Sequence, residues 1–294
     1  MAALPDSFLG GSTPRLERVG SIAFHFQDYR NYLSAAHLVT LYLYNIPYSG
    51  FMSPETMATT LSVLTRLEFL SLEFQSPRSH LDRASRHPPP LTRSVLSSLA
   101  LFRFEGVCEY LDDLVARIDA PICSLYTVFF DQIVFDSPQF VEFIDRTPTL
   151  NAPVKAYINL WNDGINVNFS SQTISGSRDL TLGISGINLS RQLLSLGQVC
   201  TSFMHHFSSL EDLYIYEHPR LHPHEKGLVE KKFWLELLHP FAAVENLYIS
   251  EEFVPCIVSA LQELVGGRTT EVLPTLQIYF LRGPPTIGAC PERH

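Results

Sequence analysis

A chain of 294 residues with 46% hydrophobic and 17% charged residues has ample apolar material for a packed core, which argues against a disordered chain. Its formal charge of -9, with 21 Lys and Arg against 30 Asp and Glu, argues against nonspecific binding of nucleic acid, because neutralising phosphates needs clustered cations. Met1 to Ser12 has no cationic segment and no apolar run of signal-peptide length, and no later stretch approaches membrane-spanning length, so a soluble intracellular protein (cytoplasmic or nuclear) without a membrane partner is expected.

Residues 1–24 read as an irregular first unit, in which Thr13-Pro14-Arg15-Leu16 leads into a poor strand around Val19 to Phe24. In the next segment Leu38, Leu41 and Leu43, followed by Asn45, alternate with Thr40, Tyr42 and Tyr44. A strand here puts leucines on one face and hydroxyl-bearing residues on the other. The spacing is that of a leucine-rich-repeat strand. Ser53-Pro54-Glu55-Thr56 then supplies an N-cap hydroxyl, proline at the first helical position and an acid in the first turn, ahead of Met57, Leu61 and Leu64 at helical spacing.

The strand signature returns at Leu67, Leu70 and Leu72. Residues 76–93, basic, proline-rich and without apolar periodicity, read as a mobile insertion loop. Leu99, Phe102 and Phe104 restart the cycle, and a helix is predicted around Glu109 to Asp119, burying Leu111, Leu114, Val115 and Ile118. Glu109, Asp112 and Asp113 are expected on its solvated face. A weaker strand with Leu125, Val128 and Phe130 precedes a helix opened by Asp136-Ser137-Pro138, again a capping arrangement, with Phe140, Phe143 and Ile144 inward.

Residues 150–187 break the pattern at Trp161-Asn162-Asp163-Gly164 and Ser175-Gly176-Ser177, which predicts two short strands, one with Ala156, Ile158 and Leu160 and one with Leu180, Leu182 and Ile184. Leu189, Leu193, Leu196, Cys200, Phe203 and Phe207 predict an amphipathic helix of about five turns. Strands with Leu210, Leu213 and Ile215 and with Val244, Leu247 and Ile249 flank a helix near Lys231 to Leu238. A last helix, Val254 to Leu264, ends at Gly266-Gly267 as a C-cap. Leu276, Tyr279 and Leu281 mark a weak final strand before an irregular tail, 283–294.

Ten strands spaced about 29 residues apart match the upper end of the 20–29 residues of such repeats. The expected fold is α/β: a leucine-rich-repeat solenoid (horseshoe), parallel strands on the concave face and helices on the convex face, forming a single domain over 1–294. Tyr42, Tyr44, Ser71, Glu73, Arg103, Glu105, Tyr214, Tyr216, Tyr248 and Ser250 lie between or just after the buried positions and would line the inner surface. Tyrosine and arginine anchor protein interfaces, so a protein partner is expected there.

Catalytic signatures are missing. No stretch matches a phosphate loop, a Gly-x-Ser-x-Gly elbow or a His-Glu-x-x-His helix, and Gly266-Gly267-Arg268-Thr269-Thr270 lacks the outer glycine and the lysine of a phosphate cradle. Cys108, Cys123, Cys200, Cys256 and Cys290 are odd in number and widely spaced, and read as reduced, mostly buried thiols. Asn168-Phe169-Ser170 and Asn188-Leu189-Ser190 match a glycosylation sequon that matters only in a secreted chain. His205, His206, His218, His222, His224 and His239, with Cys200 nearby, are the one concentration of possible zinc ligands, and a metal-dependent enzyme built on the His205–His239 tract is the competing expectation. Without a carboxylate at a fixed helical offset or a cysteine pair, they read as solvated loop histidines, and neither metal nor cofactor is expected.

Ser34-Ala35-Ala36-His37-Leu38-Val39-Thr40-Leu41, Ser53-Pro54-Glu55-Thr56-Met57-Ala58, Leu67-Glu68-Phe69-Leu70-Ser71-Leu72-Glu73-Phe74-Gln75-Ser76-Pro77 and Trp234-Leu235-Glu236-Leu237-Leu238-His239-Pro240-Phe241 resemble the repeat region of fungal, mushroom-type F-box and leucine-rich-repeat-like proteins, from about Pro5 to Leu281. The resemblance implies a non-enzymatic module that selects a protein substrate for a ubiquitin ligase. In that family an F-box docks onto the ligase adaptor. This chain begins inside the repeats, so the adaptor is not expected as a partner, and a truncated family member without a retained role is the remaining alternative.

Overall fold

The computed structural model describes residues 17–22, 37–47, 52–75, 92–130, 135–151, 153–161, 163–171, 179–186, 188–217, 229–241, 243–265 and 277–281. The chain is mixed α/β, with mostly parallel strands, and forms two compact units: residues 1–130 with 136–150, and residues 131–135 with 151–294. Each of the ten repeat copies coincides with a strand.

In the first unit, β1 (Arg18–Ile22), β2 (Thr40–Ile46), β3 (Phe69–Phe74), β5 (Leu101–Gly106) and β7 (Ser124–Phe130) lie side by side in chain order, all parallel. Two-residue strands β4 (Ser94–Val95) and β6 (Ile118–Asp119) pair separately. Register makes the repeat physical. Leu41, Leu70, Phe102 and Leu125 form one cross-strand row and Leu43, Leu72, Phe104 and Thr127 the next, every one at most 2% exposed. Each large apolar side chain so buried contributes roughly 1.5–3 kcal/mol, and only because a neighbouring strand covers it. Leu125 thus matches Phe102, not Leu99; the fully buried residue ahead of it is Cys123, whose N–H donates to the Ala120 carbonyl as that of Leu99 does to Leu96, while Ile122 is 53% exposed. At Asn45 the backbone takes a left-handed φ of 50° and the β2–β3 register shifts by one residue, a bulge that asparagine accommodates better than most residues.

Helix α1 (Pro54–Ser62) starts as its sequence dictates: the Ser53 hydroxyl accepts from Thr56 N at 3.2 Å, with proline at the first position. Helix α2 is Cys108–Val115 and stops before Asp119, because residues 118–119 leave to pair with β4. Asp112, 2% exposed, and Glu109, 9% exposed, are buried, contrary to the solvated face expected for them. For Asp112 the reason is the start of helix α3 (Pro138–Arg146). Ser137 makes no capping bond there, and Asp112 of the preceding helix accepts from Phe140 N at 2.9 Å. A carboxylate at a helix N-terminus meets both unpaired N–H groups and the favourable end of the macrodipole. The far end of α3 is tied back as well: Arg146 Nε donates to Asp119 Oδ1 at 2.8 Å and its Nη2 to the carbonyls of Val115 and Ile118. Arg93, at the end of the predicted basic loop, pairs with Glu142 at 2.8 Å; residues 76–91 of that loop lie outside the described residues.

In the second unit β8 (Lys155–Trp161), β11 (Asp212–Glu217), β12 (Asn246–Ser250) and β13 (Gln277–Leu281) form a parallel ladder. Three strands, not two, occupy residues 150–187. An unforeseen β9 (Gly164–Ser170) runs antiparallel to both β8 and β10 (Leu180–Ser185), with Gly164 paired to Trp161 at the end of β8. All seven residues of β9 are buried, yet Ile165, Val167 and Phe169 alternate with Asn166, Asn168 and Ser170, the period of a strand, so this third strand was legible and the expectation of two overlooked it. A Cβ on Gly164 would sit 2.9 Å from the Trp161 ring, so any larger residue there has to push that side chain aside.

Helix α4 (Leu189–Ser202) is capped by Asn188 and ends before the expected five turns, giving way to a 3₁₀ segment, Met204–Ser209. Helix α5 (Lys231–Leu238) packs against it so closely that a Cβ on Gly197 would lie 2.8 Å from the Glu236 carbonyl. Helix α6 (Val254–Val265) follows a 3₁₀ turn, Glu251–Phe253; the expected Gly266-Gly267 cap and the 283–294 tail lie outside the described residues. No helix is long and apolar enough to cross a membrane among the described residues.

Candidate functional site

Alternation on each strand sends one set of side chains inward and leaves the other on the opposite sheet face, and parallel pairing in register stacks that second set into rows across the strands. In the first unit one row runs Tyr42, Ser71, Arg103, Tyr126. Tyr42 and Tyr44 stack with centroids 5.7 Å apart, and the Arg103 guanidinium lies over the Tyr126 ring, 4.8 Å from its centroid. Glu73 and Glu105 are register partners, placing two carboxylates beside one another on the same face. Burial first, then Tyr42, pushes the Tyr44 phenol above its ordinary range, while Arg103 pulls the other way.

The second unit carries a different arrangement. Tyr157, Tyr214, Tyr248 and Tyr279 occupy the same position on four successive parallel strands. Their rings stack in series at 4.8, 4.3 and 5.0 Å with interplanar angles of 16°, 6° and 17°. The flanking row is polar and internally paired: Lys155 Nζ lies 3.2 Å from Asp212 Oδ2, and Asn246 Nδ2 donates to Asp212 Oδ1 at 3.0 Å. Beyond Tyr157 the tyrosine row continues as amides and hydroxyl, with Asn168 Nδ2 donating to Asn166 Oδ1 at 3.1 Å and Thr181 Oγ1 donating to Asn168 Oδ1 at 2.8 Å. Burial, followed by the Asp212 charge, raises the Tyr214 phenol; Tyr157 is raised mainly by burial, with Lys155 opposing.

Of the residues the sequence singled out, Tyr42, Tyr44, Glu73, Arg103 and Glu105 share one face of the first unit, and Tyr214 and Tyr248 one face of the second, all half-buried. Tyr216 is only 8% exposed, and Ser71 and Ser250 are 1% and 6% exposed, so these three offer little surface. Tyr126, Tyr157 and Tyr279 were missed. Tyr157 was legible, since Ala156, Ile158 and Leu160 already placed it on the other face. Tyr279 had been assigned to the buried set, but the register pairs it with Tyr248, and Ile278 with Leu247. A one-residue slip moves a whole strand to the wrong face.

His205 and His206 stand next to one another, ring centroids 3.9 Å apart, whereas His218, His222 and His224 lie outside the described residues. Burial pushes the Cys108 and Cys123 thiols up to about 12 and raises Cys200 too, so these three are inert thiols at neutral pH. Both sequons are used structurally: Asn168 is 2% exposed and hydrogen-bonded within the sheet, and Asn188 caps α4. Compared with protein-family models, curated proteins and solved structures, the chain matches none of them.

Proposed function

We propose that this chain is a leucine-rich-repeat recognition module of horseshoe form, whose displayed sheet faces bind a protein and which acts by binding, not by catalysis. The observation that carries this reading is the registered row of tyrosines, stacked ring on ring across four strands. Tyrosine supplies large amphipathic contact area at small cost in side-chain entropy, which is why it recurs at interface hot spots. The parallel ladder with leucines inward and tyrosines outward supports the repeat assignment. The resemblance of the chain's sequence motifs to the repeat region of mushroom-type F-box proteins supports a partner that is a protein selected for ubiquitination.

The test is affinity purification with mass spectrometry, comparing the natural chain with a variant in which Tyr42, Tyr157, Tyr214 and Tyr248 are alanine. A partner set, ligase subunits included, that is retained by the natural chain and lost from a folded variant is the expected result. An unchanged partner set overturns the proposal.

A further inference from the structure

The tyrosine row stops at β13, and so, among the described residues, does the ladder: β12 lies on one side of β13 and no strand on the other. An unpaired edge strand is a template for further pairing, and proteins usually guard one with charge, proline or a bulge. The edge strand of the first unit, β1, carries Arg18 and Gly20. β13 reads Gln277-Ile278-Tyr279-Phe280-Leu281, without charge, proline or glycine, and Ile278 and Tyr279 are 38% and 41% exposed.

The hydrogen-bond phase of this strand is fixed. Gln277 N donates to Glu245 O on the β12 side at 2.7 Å, so in a parallel ladder Gln277, Tyr279 and Leu281 turn their backbone groups toward β12. The backbone N–H and C=O groups of Ile278 and Phe280 therefore point to the open side. Two copies of β13 related by a two-fold axis through Tyr279 would set Ile278 opposite the other copy's Phe280, and the reverse, as two hydrogen-bonded antiparallel pairs. That register uses all four outward groups of each strand. It also makes Tyr279 face its own copy as a non-hydrogen-bonded pair, where side chains approach most closely, so the stack of rings continues across the axis.

We propose that two copies of this chain associate edge to edge through β13, antiparallel about Tyr279. The symmetry closes, giving a dimer and not a fibre.

Light scattering on the full chain tests this. At about 100 µM, a hundredfold above a micromolar dissociation constant, the natural protein should have the mass of two chains. Ile278→Pro removes an outward N–H without touching the β12 ladder, and should give the mass of one chain with an unchanged circular dichroism spectrum. Ile278→Thr keeps the N–H and should remain dimeric. Tyr279→Cys should form an interchain disulfide under mild oxidation that the natural chain, with its own thiols, does not form. That variant decides the matter if Ile278→Pro fails to fold. A natural protein that stays monomeric, as it would if the edge served a different chain, a species larger than two chains, a dimer indifferent to Ile278→Pro, or Tyr279→Cys without cross-linking each overturns the proposal.

Discussion

The two units build the same parallel ladder and decorate it differently. In the first, the displayed row mixes Tyr42, Ser71, Arg103 and Tyr126, with Glu73 beside Glu105; in the second, four tyrosines follow one another without interruption. The inward positions explain why both can exist. Leu41, Leu70 and Phe102 in one unit and Ala156, Leu213 and Leu247 in the other are fully buried and supply the core that each ladder needs, leaving the outward positions free to vary. Stacked rings in the second unit add to ladder stability as well as surface. The charged and hydroxyl row of the first adds surface chemistry with less cohesion.

The largest difference should come from the helical layers. Gly197→Leu forces a side chain into the Glu236 carbonyl, a backbone atom that cannot move aside, and should destabilise the second unit by about 3 kcal/mol. In the first unit the corresponding weak point is polar. Asp112→Ala strips the capping acceptor from Phe140 N and should cost about 1–2 kcal/mol. Asp112→Asn, which keeps an acceptor, should recover most of that loss. Urea denaturation of each variant, followed by a probe local to its unit, measures both. Equal losses for Asp112→Ala and Asp112→Asn would mean that the charge, and not the hydrogen bond, holds α3.

Much of this architecture could be read from residues alone. The Leu-x-x-Leu-x-Leu spacing and its weaker variants located ten of the thirteen strands among the described residues, because alternation is a direct imprint of strand geometry. β9 was legible as well, since Ile165, Val167 and Phe169 alternate with Asn166, Asn168 and Ser170, but the breaks at Trp161–Gly164 and Ser175–Ser177 on either side drew the segment into a loop. Asp112 escaped for a different reason. Its partner, Phe140 N, is 28 residues away, so a carboxylate next to Asp113 looked solvated when it was a cap supplied from the neighbouring repeat. Of the displayed row, Tyr214 and Tyr248 were visible, whereas Tyr279 depended on a one-residue register that weak apolar spacing could not fix.

Within the tyrosine row, Tyr214→Ala removes stacking on two sides, at 4.8 and 4.3 Å, and should cost about 1–3 kcal/mol; Tyr42→Ala removes one contact at 5.7 Å and should cost about half as much. The same row predicts a pH dependence. Burial raises the Tyr214 and Tyr157 phenols above their unfolded value near 10, so the unfolded chain gives up those protons first. Stability from these two groups is therefore full below about pH 10 and declines as pH rises beyond it. Tyr214→Phe, which cannot ionise, should flatten that alkaline decline, and an unchanged slope would assign it elsewhere.

The smallest expected effect tests whether the mixed row of the first unit is cohesive at all. Arg103 lies over Tyr126 at 4.8 Å, and its Nε has no hydrogen-bond partner among the described residues, so the ring is the contact through which Arg103 would steady its row. A half-exposed cation–π contact is worth about 0.5–1 kcal/mol. Arg103→Gln, which keeps the length but removes the charge, should shift the urea midpoint by about that much, and Arg103→Lys by less, because the ammonium keeps the charge but not the planar stacking. Tyr126→Leu should lose less stability once Arg103 is already Gln than it does in the natural chain, since part of what each side chain contributes is its contact with the other. Additive losses would mean that each side chain is held by something other than its partner. A loss from Arg103→Gln as large as that from Tyr214→Ala would show that the mixed row binds its strands as firmly as stacked rings do, removing the contrast between the two units.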